Sequence, residues 1–304
     1  MSRARSAARR LAAAASVAAL AAAAPAGATL LVYEPFDYDA GTVLDGTPAT
    51  GSNLTGSYVP LGVLAQQKLV ASSPGLTYGS LIGAPAAAGN RANDVAGVTA
   101  AGGTVSVDQD VLVPAGSAIY WSALFTFDDS TNANRHASIT LTDDATGDAL
   151  SFGEAVVGSR AVRVSADTEA TGGLLAAGAD DSFHDGQTLL LIGRYVNSPA
   201  ADGDRLDLIG YDTADADLLP ASFDPADPQA EFAFSLDGLD IDLVQITSIT
   251  FTIRGDDNNF VDELRIGDTY ASVAVPEPGA LVALLLGIAG LAARASSGRV
   301  RLSV

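Results

Sequence analysis

Carboxylates are the side chains in this sequence with the most chemistry to offer: 36 Asp and Glu stand against 16 Lys and Arg and 2 His. Hydrolysis of a glycosidic bond needs two carboxyl groups flanking the scissile bond. On a strand such a pair must sit at alternate positions to share a face, and no Glu-x-Asp-x-Glu run occurs. The nearest pair, Asp262-Glu263, is adjacent, so regular strand geometry turns the two acids to opposite faces. Glu34, Glu154 and Glu263 remain as isolated acids. A second chemistry is binding of a hard cation. Asp256-Asp257-Asn258-Asn259, followed by Asp262, gathers oxygen ligands of the kind calcium takes, and Asp212, Asp215 and Asp217 do so more loosely. Neither set has EF-hand spacing, and Asx residues equally solvate turns and cap backbone amides. No cofactor is demanded; calcium is the one these residues could hold. Asp262 also falls in phase with Phe260, Leu264 and Ile266, which predicts a covered carboxylate needing donors, most simply from the backbone of the loop before it.

Other catalytic chemistries find few residues. Ser151 lies in Ala149-Leu150-Ser151-Phe152-Gly153, which lacks the first glycine of a nucleophile elbow and a strand-to-helix turn. His136 and His184 are the only imidazoles available to a triad. Lys68 follows no glycine-rich segment, which excludes a phosphate-binding loop. The chain has no cysteine, so disulfides and thiolate metal sites are excluded. A net charge of −20 repels phosphate backbones and argues against nucleic acid as a partner. Seven of the arginines lie near the two ends, so the central part is more acidic still.

The elements that must position these residues read as strands. Val105, Val107, Val111 and Val113 alternate with Ser106, Asp108 and Asp110. Trp121, Ala123, Phe125 and Phe127 alternate with Ser122, Thr126 and Asp128, and Ala137, Ile139 and Leu141 with Ser138, Thr140 and Thr142. Ile249, Phe251 and Ile253 alternate with Thr250 and Thr252. A period of two marks strands with one buried and one wet face, and it places Trp121 inward. Thr29 to Tyr38 opens the series, a turn-rich stretch follows from Asp39 to Pro60, and Leu189 to Ile192 is apolar enough to be covered on both faces. Leu206 to Tyr211 follows the turn Asp202-Gly203-Asp204, and Val261 to Ile266 comes last. Ten or more short strands with Gly- and Asp-rich turns predict an all-β, two-sheet antiparallel sandwich. About 246 residues between the two ends fit one such unit, with a core large enough to stand alone.

The ends carry addresses. Arg3, Arg5, Arg9 and Arg10 precede the low-polarity run Leu11 to Ala24, and Ala26-Gly27-Ala28 supplies the small residues of a cleavage site. Residues 1–28 therefore read as a secretory signal helix handled by the Sec machinery, cut after Ala28 or alternatively after Ala26. At the other end Val275-Pro276-Glu277-Pro278-Gly279 breaks any strand. Ala280 to Ala293 is apolar and, at about 1.5 Å per residue, spans roughly 21 Å against a hydrocarbon core of about 30 Å. Arg294, Arg299 and Arg301 then close a cytoplasmic basic end. This order of motif, short hydrophobic helix and arginine cluster resembles the PEP-CTERM sorting signal of Gram-negative bacteria. The resemblance implies recognition by an exosortase, transient anchoring in the inner membrane through the C-terminal helix, cleavage near Pro276 to Pro278, and transfer to the cell surface or extracellular matrix.

A second resemblance covers residues 29–274. Tyr33-Glu34-Pro35-Phe36 near the start, Leu189 to Tyr195, and the closing Phe260-Val261-Asp262-Glu263-Leu264-Arg265-Ile266-Gly267 leading into Thr269 to Val273 are similar to the concanavalin A-like, laminin-G-like jelly rolls found on many PEP-CTERM proteins. It implies two antiparallel sheets of about six or seven strands each, and often a sugar-binding or adhesive role without catalysis. The organisation expected is thus a signal at 1–28, a jelly roll at 29–274 and a sorting tail at 275–304. The function expected is that of an exported structural or glycan-interacting protein whose partner is extracellular polysaccharide. The alternative is a secreted glycoside hydrolase or polysaccharide lyase on the same fold.

Overall fold

The computed structural model describes residues 28–61, 68–79, 89–94, 101–127, 136–154, 162–167, 174–178, 186–200, 203–214, 219–241, 243–254 and 259–274. The signal and the sorting tail lie outside them, apart from Ala28. The strands are β1 (Leu30–Glu34), β2 (Leu54–Pro60), β3 (Leu69–Ser72), β4 (Arg91–Asp94), β5 (Ala101–Leu112), β6 (Ala118–Thr126), β7 (His136–Thr142) and β8 (Ala149–Gly153). They continue with β9 (Arg163–Asp167), β10 (Leu174–Gly178), β11 (Thr188–Val196), β12 (Asp204–Asp212), β13 (Phe232–Leu239), β14 (Gln245–Arg254) and β15 (Phe260–Gly267). A single turn of helix, α1 (Tyr270–Ala274), follows.

These strands form a two-sheet antiparallel jelly-roll sandwich. The first sheet has eight strands in the order β13-β12-β11-β6-β15-β4-β3, with β1 on β15; the second has seven, β10-β9-β8-β7-β14-β5-β2. The alternation read from sequence sets which side chains meet between them. Val105, Val107, Val111, Val113, Ile139, Leu141, Ile249, Phe251 and Ile253 of the second sheet all point inward, each at most 6 % exposed. They pack against Trp121, Ala123, Phe125, Leu191, Leu206 and Leu208 of the first. Trp121 is 0 % exposed, as its phase predicts, and its ring centroid lies 5.5 Å from that of Phe152. Gly193 stands opposite it in the ladder, and a Cβ there would fall 2.0 Å from the indole. The absent side chain is what lets the largest core residue fit.

The outward face of the first sheet is not wet. Ser122 and Thr126, expected on a solvated face, are 0 % and 8 % exposed, because a second cluster of Leu76, Tyr78, Leu219, Tyr270 and Val273 packs over Leu124, Leu190, Ile192 and Ile209. Ser122 stays satisfied by donating its hydroxyl to the Val273 carbonyl at 2.8 Å. Burying apolar side chains on both faces of β6 and β11 is what a covered sheet requires.

The turn-rich stretch after β1 also proves structured. Gly41 and Leu44 donate to the Ala71 and Leu69 carbonyls on the edge strand β3, each at 2.8 Å. A few residues on, Gly46 donates to Tyr58 at 2.9 Å and Ala49 to Gly56 at 3.0 Å on the edge strand β2. One strap thus covers an edge of each sheet, and it is pinned further by the Lys68–Asp45 ion pair. Covered edges leave fewer free backbone groups to template pairing with another chain.

Candidate functional site

The second sheet presents an outward face of a different kind. On β7, β14 and β5, nine side-chain positions form a grid of three rows. Thr140, Thr250 and Thr104 make the central row, Thr142, Ser248 and Ser106 the second, and Ser138, Thr252 and Gly102 the third. Eight of these nine positions carry a hydroxyl. The central row extends to Ser151 on β8 and Ser165 on β9, and the second to Thr55 on β2. Neighbouring strands of the grid lie about 4.7–4.9 Å apart, and successive same-face positions along a strand about 6.6–6.8 Å apart as two steps of strand rise. The β-branched Thr residues suit both strand and exposed face. Ser106 is exposed, Thr104, Thr140, Thr142, Thr250 and Thr252 are half-buried, and Ser138, Ser248 and Ser165 are buried. Leu61 lies over Gly102 and closes one corner.

Neutral hydroxyls bridge part of the grid. Thr104 and Thr250 share a hydrogen bond at 2.8 Å, and Thr140 and Ser151 one at 2.7 Å. Each hydroxyl offers one donor and two acceptor sites, so capacity remains for a ligand. The nine positions hold no carboxylate, no cation and no aromatic ring. In a chain with 36 acidic residues that composition sets the face apart. The nine positions can exchange hydrogen bonds with a polyhydroxylated neutral ligand and hold no acid–base pair for hydrolysis. Charge stands at their edge, where Ser248 donates its hydroxyl to the Asp144 Oδ1 at 3.3 Å and the exposed Asp108 follows Ser106 on β5.

The acids singled out from sequence stand elsewhere. Glu34, Glu154 and Glu263 are 0 %, 3 % and 0 % exposed. Glu34 accepts the Tyr58 hydroxyl and the Phe36 amide, each at 2.8 Å. Burial pushes its pKa up to about 7, against the pull of those hydrogen bonds. Asp262 and Glu263 do not point to opposite faces. Glu263 adopts φ 55° and is the extra residue of a bulge, where the ladder of β15 with β6 shifts between Asp262 and Arg265. The bulge breaks the expected phase: Leu264 and Ile266 enter the main core while Phe260 belongs to the outer cluster. Asp262 pairs with Leu124 of that outer face. Glu263 accepts the Tyr33 hydroxyl at 3.0 Å and an Arg265 guanidinium nitrogen at 3.3 Å.

Asp262 is 0 % exposed. Its carboxyl accepts the Leu76 amide at 2.7 Å and the Glu263 amide at 2.8 Å. One donor therefore comes from across the fold, from the segment after β3; residues 255–258 of the loop preceding β15 lie outside the described residues. Burial pushes the Asp262 pKa up to about 9; the Leu76 amide opposes this and the Glu263 carboxylate adds to it. Arg91 stacks on Phe260 with its guanidinium carbon 3.4 Å from the ring centroid.

Asp256 and Asp257 lie outside the described residues, as do Asp215, Asp217, His184, Ala26, Val275, Pro276, Glu277, Pro278, Arg294, Arg299 and Arg301. Ala28 is exposed just before β1. Asp212 caps a turn by accepting the Ala214 amide at 2.8 Å. His136 opens β7, and Ser151 sits within the hydroxyl array. Among the described residues no group of three or more His, Cys, Asp or Glu is placed to hold a metal ion. No helix among them is long and apolar enough to cross a membrane. Alternation alone marks these Ser and Thr residues as the wet phase of amphipathic strands and nothing more. The signal that could have found the grid is the repetition of Ser-x-Thr-x-Thr in Ser138-Ile139-Thr140-Leu141-Thr142 and Ser248-Ile249-Thr250-Phe251-Thr252.

No family model matches the chain, and no curated protein matches it. Among solved structures it is similar to lectin II from Ulex europaeus at 9 % identity, over 75 % of this chain and 95 % of that one, with a TM-score of 0.40. It is similar to the T. cruzi calreticulin globular domain at 11 % identity, over 79 % and 88 %, with a TM-score of 0.43. It is also similar to an endo-1,3-beta-glucanase from Streptomyces sioyaensis at 12 % identity, over 81 % and 98 %, with a TM-score of 0.41. Likenesses this distant transfer neither ligand nor activity, and the two hydrogen-bonded sheets carry the description of the fold by themselves.

Proposed function

We propose that this chain is an exported, surface-sorted β-sandwich that binds neutral polysaccharide through the hydroxyl face of its second sheet and does no chemistry on it. The observation that carries the binding reading is the grid itself: eight hydroxyls on nine neighbouring positions, with no charged residue at any of the nine, in a chain of net charge −20. Each contact is a neutral hydrogen bond of about 0.5–1.5 kcal/mol net, so affinity comes from many weak contacts and favours extended polymers over single sugars. A glycosidase would need a carboxylate pair across the ligand, and the grid positions offer none.

The sorting half of the proposal rests on residues 1–28 and 275–304. An exosortase is the processing partner, and the destination is the cell surface or extracellular matrix of a Gram-negative-type bacterium. Intact-mass measurement of the surface form tests it: loss of both ends is expected, and a surface protein that retains Leu281 to Arg301 contradicts it. For binding, the protein is applied to a glycan array and to insoluble neutral and acidic polysaccharides, with and without calcium. Retention on neutral polymers that survives chelator and high salt is expected. Retention on acidic polymers alone, or sugar release from the substrate, contradicts the reading.

A further inference from the structure

Thr29 is the first residue after the cleavage point expected at Ala28, and its backbone nitrogen donates to the Asp268 Oδ1 at 2.7 Å. The two ends of the sandwich are otherwise tied together there. Asp268 donates its own amide back to the Thr29 carbonyl at 3.2 Å, and Leu30 pairs with Gly267 as β1 joins β15. Ala28 and Thr29 are both exposed, so a peptidase can reach the bond between them, whereas the next residue already belongs to a ladder.

We infer that Asp268 is a receptor for the α-amino group made by signal cleavage at Ala28. Before the cut, the Thr29 nitrogen is a neutral amide. After it, the same nitrogen is an ammonium with three donors, one of them already aimed at a carboxylate oxygen, and the contact becomes a charge-assisted ion pair. Cleavage after Ala26 would leave Gly27 as the terminus. The Thr29 nitrogen that faces the carboxylate would then remain a neutral amide. Cleavage after Ala28 is thus the cut that gives the new end a defined seat against β15. An opposite charge at this distance favours the charged form of the amine and raises its pKa above the ordinary value of about 7.7–8.0. The linked stability is present at lower pH and is lost as pH rises through the folded value.

The inference rests on the export reading, and the experiment separates the two. The full-length gene is expressed in a secreting host, and the exported protein is collected for N-terminal sequencing and for titration of its terminal amine by isotope-labelled methylation and NMR. Thr29 as the first residue is expected, with the amine titrating up to about 0.7 unit above the ordinary value, as an exposed ion pair allows. That shift leaves up to about fivefold less free amine for acylation at neutral pH. Asp268→Asn, which keeps the shape and the acceptor but removes the charge, is expected to return the amine to the ordinary range while the protein still folds. A Thr29 terminus with an unshifted amine, or one that Asp268→Asn leaves unchanged, overturns the receptor and leaves export standing. A Gly27 terminus overturns the receptor as well. Retention of residues 1–28 on the exported protein overturns the export reading itself.

Discussion

Asp262→Asn is the substitution in which the geometry and the electrostatics of this fold make the most demanding forecast. In the wild type the carboxyl is 0 % exposed and its pKa stands at about 9 in place of 3.8. A carboxyl whose folded pKa is raised favours folding fully below its unfolded pKa, and the advantage is lost as pH rises through the folded value. Between pH 5 and pH 8 the unfolded chain has released this proton and the folded chain has not. Stability therefore falls by up to about 1.4 kcal/mol per pH unit, or up to about 4 kcal/mol over the three units. Asparagine cannot ionise. Its carboxamide oxygen can take one of the two amides that Asp262 now accepts, from Leu76 and Glu263, while its NH₂ opposes the other, a pH-independent cost of about 1–3 kcal/mol. The variant should thus be the less stable protein at pH 5 and should match or overtake the wild type by pH 8. Glu34, raised to about 7, titrates in both proteins and cancels in the difference. Denaturant unfolding at pH 5, 6, 7 and 8 measures it. A difference that stays flat across that range, or a wild type that gains on the variant as pH rises, would show that Asp262 is ionised in the fold and refute the reasoning.

Trp121→Ala should cost about 3–5 kcal/mol, as large core truncations do; a loss under about 1 kcal/mol in the same unfolding assay would place the indole at the surface. Gly193→Ala should cost at least about 1–3 kcal/mol, because its Cβ would meet the indole at 2.0 Å, and a neutral result would mean that the ring can tilt away at little cost. Melting with millimolar calcium and then with excess chelator should give one temperature, and a shift of several degrees lost in Asp262→Asn would restore the cation reading of that acid.

The inward phases of β5, β6, β7 and β14 were legible because alternation is a local signal, and Val105, Trp121, Ile139 and Phe251 all face where the period puts them. What was not legible depends on distant chain. Ser122 and Thr126 read as wet because their covers, α1 and the segment around Leu76, arrive from far along the sequence. Asp262 keeps the outer face with Phe260 but parts from Leu264 and Ile266 because a single left-handed residue, Glu263, resets the phase of β15, and a bulge leaves no mark in a hydrophobic pattern. β2 went unread since Gly56, at φ 73°, interrupts it with a residue that usually signals a turn. The hydroxyl grid was visible strand by strand, but its meaning lies in the register among β7, β14 and β5, which only pairing supplies.

Binding of a neutral polysaccharide by Thr140→Val/Thr250→Val tests the central claim most directly. Valine keeps the branched shape and strand preference and removes only the hydroxyls at the middle of the grid. Two lost hydrogen bonds to the ligand of about 0.5–1.5 kcal/mol each weaken binding roughly 5- to 150-fold. The Thr104–Thr250 and Thr140–Ser151 bonds go with them, so the melting temperature should fall modestly while the circular dichroism spectrum keeps its wild-type form. A folded double variant that holds the polysaccharide as tightly as the wild type would contradict the account.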